Sequence, residues 1–356
     1  MMAKAKNWTS APWHESEDLE CVMVVPETAD SATFTFRAPS GAWFDYEPGQ
    51  FVTLDLPVPG GNVQRSYTIS SSPSRPLSIS ITVKAQAASI GTRWMLDRLK
   101  PGMRIKAWGP TGAFTSHRHP AQKYLFISAG SGITPMMSMT TWAWDSGVPP
   151  DIVFVHAART PADIIFRERL ELMAARVPGV QLRFTVSRPD AFSAWPGYMG
   201  RLNQIMLGLM APDYLDREVF CCGPDAFMTS VREMLAALGY DMSRYHQESF
   251  GAPVGEESDV PADIAPEEGA SAEVVFADSG ISTPCAETDT ILAVAKRSGL
   301  NIPSGCTFGL CGTCKIKKVS GEVHMVHNGG ISDEDIEEGY ILACCSNPLG
   351  RVEVEV

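Results

Sequence analysis

No stretch of this chain approaches the ~20 consecutive apolar residues that cross a bilayer. The start of the chain, with Lys4 and Lys6 followed by Trp8, Pro12, His14 and Glu15, lacks the apolar core of a secretory signal. A cytoplasmic protein without a membrane partner is expected. Positive charge is scarce, with 29 Lys and Arg against 41 Asp and Glu, which argues against nucleic acid as a partner. Internal repeats are absent. No Cys is followed two positions later by His, which disfavours a Rieske centre in this chain. Nine cysteines, an odd number, do not form a disulfide framework and suit a reducing compartment.

Four of those cysteines carry the strongest signal. Cys306, Cys311, Cys314 and Cys344 follow the spacing C-x4-C-x2-C with a distant fourth ligand, the pattern of plant-type [2Fe–2S] ligation. Gly305, Gly309 and Gly312 lie inside the run, where small residues let peptide N–H groups approach the sulfurs. A structural zinc site is the competing reading, but zinc frameworks usually pair their ligands as two C-x2-C hooks, and here only Cys311 and Cys314 form one. Cys21 and Cys285 read as plain thiols.

Composition divides the chain. From Leu19 to Phe114 short β-type runs alternate with turn signals such as Pro48-Gly49 and Pro59-Gly60-Gly61, which predicts a small β-barrel. From Tyr124 to Phe250 apolar strands (Tyr124 to Ser128, Ile152 to His156, Gln181 to Ser187, Val219 to Cys222) alternate with helical stretches (Thr134 to Trp144, Phe166 to Ala175, Ala226 to Leu238). That is the signature of an α/β domain with a parallel sheet. Residues 251–270 combine six carboxylates with three prolines and read as a self-repelling linker. In the module that follows, Thr290 to Ser298 reads as a helix ended by Gly299. The expected domains are therefore 15–118, 119–250 and 271–356, joined by the linker 251–270. Residues 251–356 hold 18 acidic and 6 basic side chains, whereas residues 1–250 hold 23 of each. The acidic end either steers docking onto a basic partner surface or serves solubility.

Weaker motifs lie in the first two regions. On the run Arg65-Ser66-Tyr67-Thr68-Ile69-Ser70, alternation sends Arg65, Tyr67 and Ile69 to one face and Ser66, Thr68 and Ser70 to the other. An Arg beside an aromatic ring can clamp a phosphate and support a planar ring. Ser89-Ile90-Gly91-Thr92 precedes a predicted helix from Arg93 to Leu99, whose free N–H groups can hold a pyrophosphate or simply be capped. Gly130-Ser131-Gly132-Ile133-Thr134-Pro135 follows a strand and opens a helix, where a dinucleotide is expected, although Pro135 replaces the third Gly of the full fingerprint. Cys222-Gly223-Pro224 ends a second strand at the same carboxyl edge.

Taken in order, these pieces resemble the ferredoxin-NADP reductase-like flavoproteins that carry a C-terminal plant-type ferredoxin domain. Reductase components of Rieske-type oxygenases, including those acting on glycine betaine and other quaternary amines, belong to this class. Pro101-Gly102, Gly109-Pro110-Thr111-Gly112-Ala113-Phe114 and Glu248-Ser249-Phe250 complete the match, which covers nearly the whole chain from about residue 19. The resemblance implies a flavin-binding β-barrel, a nicotinamide-binding α/β domain and a β-grasp ferredoxin domain. Arg65 would contact the flavin phosphates with Ser66 beside it, Tyr67 would flank the flavin, Thr68 would lie near its N5, and Phe250 near its ring. Gly91 and Thr92 would bind its pyrophosphate. Gly130 and Gly132 would lie under the dinucleotide phosphates, and Thr134, Cys222 and Gly223 would border the nicotinamide, with Thr68 and Cys222 nearest the chemistry. Ser187-Arg188 and Arg159 are candidates at the adenosine end, Arg159 being as readily a structural ion pair.

The implied cofactors are a [2Fe–2S] cluster, FAD with FMN as the alternative, and NADH with NADPH as the alternative. Two features depart from the family pattern: Ser89, where many relatives carry Gly and which bears on FAD against FMN, and Thr307, where ferredoxins commonly carry Arg. The implied function is a monomeric reductase that passes electrons from NAD(P)H through flavin and cluster to a partner, a Rieske-type oxygenase, with a quaternary-amine demethylase as the substrate class. The reductase of a hybrid-cluster protein is the alternative within the family; a redox sensor or plain electron carrier is the alternative outside it. A self-sufficient oxygenase is disfavoured, since the sequence offers no facial triad, no haem motif and no segment left for a substrate domain.

Overall fold

The computed structural model describes the chain except for residues 1–10, 15–16, 86–88, 148–150, 190–193, 251–268, 305–308, 310–311, 328–329 and 332. Most of the expected linker, as well as Cys306 and Cys311, lies outside the described residues. The chain divides into two compact units, one made mainly of residues before 252 and the other mainly of those from 252 on.

The first unit opens with six strands: β1 (Leu19–Thr28), β2 (Ser31–Arg37), β3 (Phe51–Val58), β4 (Gly61–Thr68), β5 (Ile79–Lys84) and β6 (Arg104–Thr111), with helix α1 (Ile90–Arg98) before β6. They pair in the order β4-β3-β6-β1-β2-β5. A bridge between Ile69, just after β4, and Ile81 on β5 brings the two edges together, so the sheet curls into the expected barrel. Phe34, Phe36, Leu54, Leu56, Ile69 and Ile81 fill it.

Thr68, Ile69 and Ser70 are all buried, so both of the alternating faces are covered at the end of β4 and just beyond it. The buried hydroxyls are satisfied in a chain, Ser70 to Thr82 at 3.1 Å and Thr82 to Thr33 at 2.8 Å. Helix α1 begins three residues earlier than predicted, because the Ser89 side chain caps it by accepting the Thr92 N–H.

The α/β part follows with β7 (Lys123–Ala129), α2 (Ile133–Asp145), β8 (Asp151–Ala158), α3 (Arg167–Arg176), β9 (Val180–Val186), β10 (Tyr198–Met199), α4 (Gln204–Met210), β11 (Glu218–Cys222), α5 (Asp225–Ala237) and β12 (Tyr245–Glu248). Every pair in the sheet is parallel, in the order β10-β9-β8-β7-β11-β12. The chain winds outward from β7 through β8 and β9, then returns to the other side of β7 with β11. Carboxyl ends of β7 and β11 therefore flank a topological switch point, where open parallel sheets bind ligands. Phe126, Phe154 and Phe220 pack under one face, and Leu125, Val153 and Val219 under the other. Ser138 on α2 donates to the Ser71 carbonyl at 2.6 Å and Arg75 pairs with Asp145 at 2.9 Å, which fastens this sheet to the barrel.

The second unit is a five-stranded mixed sheet of β13 (Ser271–Phe276), β14 (Ile281–Ala286), β15 (Lys315–Met325), β16 (Tyr340–Leu342) and β17 (Ser346–Val354), ordered β14-β13-β17-β15-β16. Two helices join these strands, α6 (Ile291–Arg297) after β14 and α7 (Asp333–Glu337) before β16. The predicted helix is α6. Thr290 caps its start, and Gly299 at φ +79° ends it, with Leu300 N–H reaching back to Ala295. Its last-turn Arg297 pairs with Asp289 at 2.7 Å. Ile291, Val294 and Ala295 bury against Val274, Phe276, Leu342 and Val352.

Candidate flavin, nicotinamide and cluster sites

At the barrel, β4 carries the Arg-Ser-Tyr-Thr run. Arg65 is exposed, Ser66 and Tyr67 are half-buried, and Thr68 is buried; the Tyr67 ring packs on the barrel core. At the start of α1, Gly91 and Thr92 are buried. The Thr92 N–H is engaged by Ser89 Oγ at 3.3 Å and its hydroxyl donates to the Ser89 carbonyl at 3.1 Å. Among the described residues the Gly91 N–H keeps no such partner, so the helix start still presents a donor to an anion. Ser89, a departure from the family pattern, is thus the cap of this helix.

The switch point is built on close backbone approach. A Cβ on Gly132 would lie 2.1 Å from the Cys222 carbonyl oxygen and 2.7 Å from the Gly223 nitrogen, so only glycine lets the β7 turn rest on the end of β11. Gly223 is similarly hemmed in by Phe227 and Ala129. Gly130 adopts φ +55°, and Thr134, buried, donates to the Ser131 carbonyl at 3.0 Å. The Cys222 thiol is buried among these elements. Burial, then the neighbouring Glu248 and Cys221, raises its pKa, which keeps it a neutral thiol.

Glu248, at the end of β12 directly opposite Cys222, is a residue to which the sequence reading assigned no role. Its carboxyl is buried, and burial pushes its pKa up to about 8. Its Oε2 has no hydrogen-bond partner among the described residues. A buried polar atom left open at the carboxyl edge of a parallel sheet marks a place where a ligand group completes the bonding. The signal was available, since Glu248 stands in the matched Glu-Ser-Phe run. Next in the chain, Ser249 donates to Asp225 at 2.6 Å and Phe250 is 42% exposed.

Farther along the same edge, Ser187 and Arg188 follow β9 and Arg159 follows β8; all three are exposed. Arg188 N–H donates to the Arg159 carbonyl at 3.0 Å. The Arg159 guanidinium lies 3.1 Å from both Asp30 and Asp163, so this candidate is held in an ion-pair network, while Arg188 makes no ion pair among the described residues.

In the second unit, Cys314 and Cys344 are buried side by side. The Gly309 N–H donates to Cys344 Sγ at 3.3 Å and the Cys344 N–H to Cys314 Sγ at 3.4 Å. Amide donors aimed at sulfur are what an anionic thiolate-bound cluster requires. Gly309 at φ +75° and Gly312 at φ +70° make the turn, and a Cβ on either would strike Cys345, His327 or the Gly330 carbonyl within 2.8 Å. These residues fit a [2Fe–2S] group.

Comparison with known proteins agrees in all three regions. Residues 21–116 match the oxidoreductase FAD-binding domain, 126–233 the oxidoreductase NAD-binding domain and 274–349 the 2Fe-2S iron-sulfur cluster binding domain. The chain is 64% identical over 343 residues to the stachydrine N-demethylase reductase subunit of Rhizobium meliloti, covering 96% of this chain and 97% of that one. It belongs to the family of oxygenase reductase subunits. The glycine betaine monooxygenase reductase subunit of Pseudomonas aeruginosa is 46% identical over 356 residues, 98% of this chain and 97% of its own. In fold, the reductase is similar to phthalate dioxygenase reductase, with a TM-score of 0.60 at 23% identity over 95% of this chain and 97% of that structure. The reductase is an oxidoreductase that carries electrons from a nicotinamide through FAD and a [2Fe–2S] cluster. Among its described residues no helix is long and apolar enough to cross a membrane.

Proposed function

We propose that this reductase supplies a Rieske-type terminal oxygenase that demethylates a quaternary ammonium carboxylate, with NADH as the electron source. The observation that carries this reading is the near full-length identity to the stachydrine N-demethylase reductase subunit, supported by the glycine betaine monooxygenase reductase subunit. Stachydrine and glycine betaine are both N-methylated quaternary ammonium carboxylates. The flavin and cluster, when bound, supply the conversion of a hydride into single electrons.

The chain's own residues bind and orient. Arg65 would hold the flavin phosphates, with Ser66 beside it; Tyr67 would flank the flavin, and Thr68 and Phe250 would lie near its ring. Gly91 and Thr92 hold the pyrophosphate from the start of α1. Gly130 and Gly132 would admit the dinucleotide phosphates, and Thr134, Cys222 and Gly223 would border the nicotinamide, with Glu248 opposite Cys222. Cys306, Cys311, Cys314 and Cys344 ligate the cluster. We place the domains at 15–118, 119–250 and 271–356, with 251–270 as linker, in a cytoplasmic monomer.

The test is reconstitution with a purified Rieske-type terminal oxygenase that demethylates a quaternary ammonium carboxylate. A quaternary ammonium carboxylate should stimulate NADH oxidation and release one formaldehyde per turnover. NADH–ferricyanide activity without any substrate-dependent turnover would overturn the assignment. At the adenosine end, Ser187, Arg188 and Arg159 are the available contacts. Arg188→Ala is expected to change NADPH turnover more than NADH turnover, and a higher kcat/KM with NADPH in the unaltered protein would reverse the NADH preference.

A further inference from the structure

At the amino end of the parallel sheet, away from the switch point, three side chains converge that the redox chemistry does not use. Glu218 opens β11, His246 lies on β12, and His119 lies on the segment joining β6 to β7. One ligand atom from each lies within 4.8 Å of the other two. The two imidazoles stack with centroids 3.6 Å apart and planes inclined by 23°. His246 Nε2 is 2.7 Å from Glu218 Oε1, while Arg244 donates to the other carboxylate oxygen at 3.2 Å. The carboxylate is thus held from behind, as outer partners hold metal ligands. His119 is fixed through its backbone, whose carbonyl accepts from the Tyr124 hydroxyl at 3.2 Å, and the Phe220 ring lies 4.9 Å from His246 as an apolar floor. Among the described residues neither ring nitrogen of His119 has a hydrogen-bond partner.

We propose that His119, Glu218 and His246 bind one divalent cation of the zinc class, with water in the fourth position. Two imidazoles and one carboxylate are a donor set for such a borderline ion, whereas calcium and magnesium take oxygen ligands throughout. Adjacent ligands of a tetrahedral zinc lie roughly 3.3 Å apart at bond lengths of about 2.0–2.1 Å, so binding draws the three side chains together by rotation. Four residues along β11 separate Glu218 from Cys222, about 13 Å at ~3.3 Å per residue, so the ion does not touch the nicotinamide edge. Its ligands come from the segment between barrel and sheet and from two strands, and the ion staples that segment to the edge strand β12. The three residues stand far apart in sequence, which is why no metal motif is visible there.

Equilibrium dialysis of the oxidised, flavin- and cluster-loaded protein against Zn2+ tests this, with iron and flavin content measured alongside. One bound Zn2+ per chain is expected, weakened at least tenfold in His119→Asn and in His246→Asn, with a rise in Tm on adding Zn2+ in the unaltered protein only. Independently of any variant, X-ray absorption at the zinc edge of the unaltered protein should show a nitrogen and oxygen shell at about 2.0–2.1 Å. Equal binding by the variants, zinc uptake in step with iron loss, a sulfur shell at about 2.3 Å, or no binding at tenfold molar excess would each overturn the proposal.

Discussion

The two units hold their redox groups by opposite uses of the backbone. At the switch point of the first, the β7 turn rests on the Cys222 carbonyl and the side chains facing the edge, Cys222 and Glu248, are kept neutral by burial. Around Cys314 and Cys344 of the second, amide N–H groups point at sulfur. The difference follows from what is held. A nicotinamide arrives and leaves, so an open sheet edge with neutral groups suits it; an iron–sulfur cluster is resident and anionic, so donors are fixed around it. Charge divides in the same way, since the whole excess of carboxylates falls in residues 251–356.

The largest effect that separates the units is expected from Cys314→Ser. Removing this thiolate should eliminate the visible absorbance of the cluster and delivery to the oxygenase, while NADH–ferricyanide turnover stays within about twofold, because the barrel and the parallel sheet pack cores of their own. Flavin content measured on the same sample decides the matter. Loss of flavin would break the separation.

Gly132→Ala makes the converse cut. The added methyl would meet the Cys222 carbonyl oxygen at 2.1 Å, and the atoms it strikes are backbone, so no flexible side chain can yield. Overpacking of this kind costs roughly 1–3 kcal/mol. Displacement of the nicotinamide edge should lower NADH kcat/KM at least ~tenfold, since reaction rates fall steeply with misplacement. The cluster spectrum should be unchanged. Retained turnover would show that the tight approach of β7 to β11 is not what forms the site.

How much of this was legible in the sequence differs between the units as well. The cluster could be read from spacing alone, because three of the four cysteines that carry its pattern lie on one short run. Helix α6 was equally plain, with Thr290 and Gly299 marking both ends. The nicotinamide edge was legible only as a set of strand-end motifs in order. Strand β12 went unread because it is short and its residues alternate poorly in burial, and Glu248 was therefore a motif letter without a place. Alternation told which residues share a face but not that both faces of Thr68 to Ser70 are buried, because barrel closure, a long-range event, covers them. His119, Glu218 and His246 meet only after the sheet has assembled.

A smaller effect sharpens the contrast of neutral against anionic sites. Glu248 titrates at about 8 in the fold, well above an ordinary glutamate, and burial is the cause. A raised carboxyl pKa means that the folded state binds the proton more tightly than the unfolded chain. Its contribution is fully present below the unfolded pKa and is lost as pH rises toward about 8. Glu248→Gln removes that loss, so the variant should gain stability relative to the unaltered protein as pH rises from 5 to 8, by at most about 1.4 kcal/mol per pH unit. Denaturant melts of both proteins at three pH values measure it. Parallel curves would mean that the carboxyl is ionised in the fold.

The smallest effect concerns charge. Residues 251–356 carry 18 acidic and 6 basic side chains, while the rest of the chain is balanced at 23 of each, so only the cluster-bearing region has a long-range field. A field of that kind speeds encounter with a basic partner surface and is screened over about 10 Å at 0.1 M salt. Raising NaCl from 50 to 500 mM should therefore slow electron delivery to the oxygenase by up to about tenfold. NADH oxidation with a neutral quinone acceptor, which uses the flavin alone, should change less. Stopped-flow rates across that salt series compare the two directly. A delivery rate that stays flat would leave the acidic surface with solubility as its role, and would remove charge from the list of ways in which the two units differ in function.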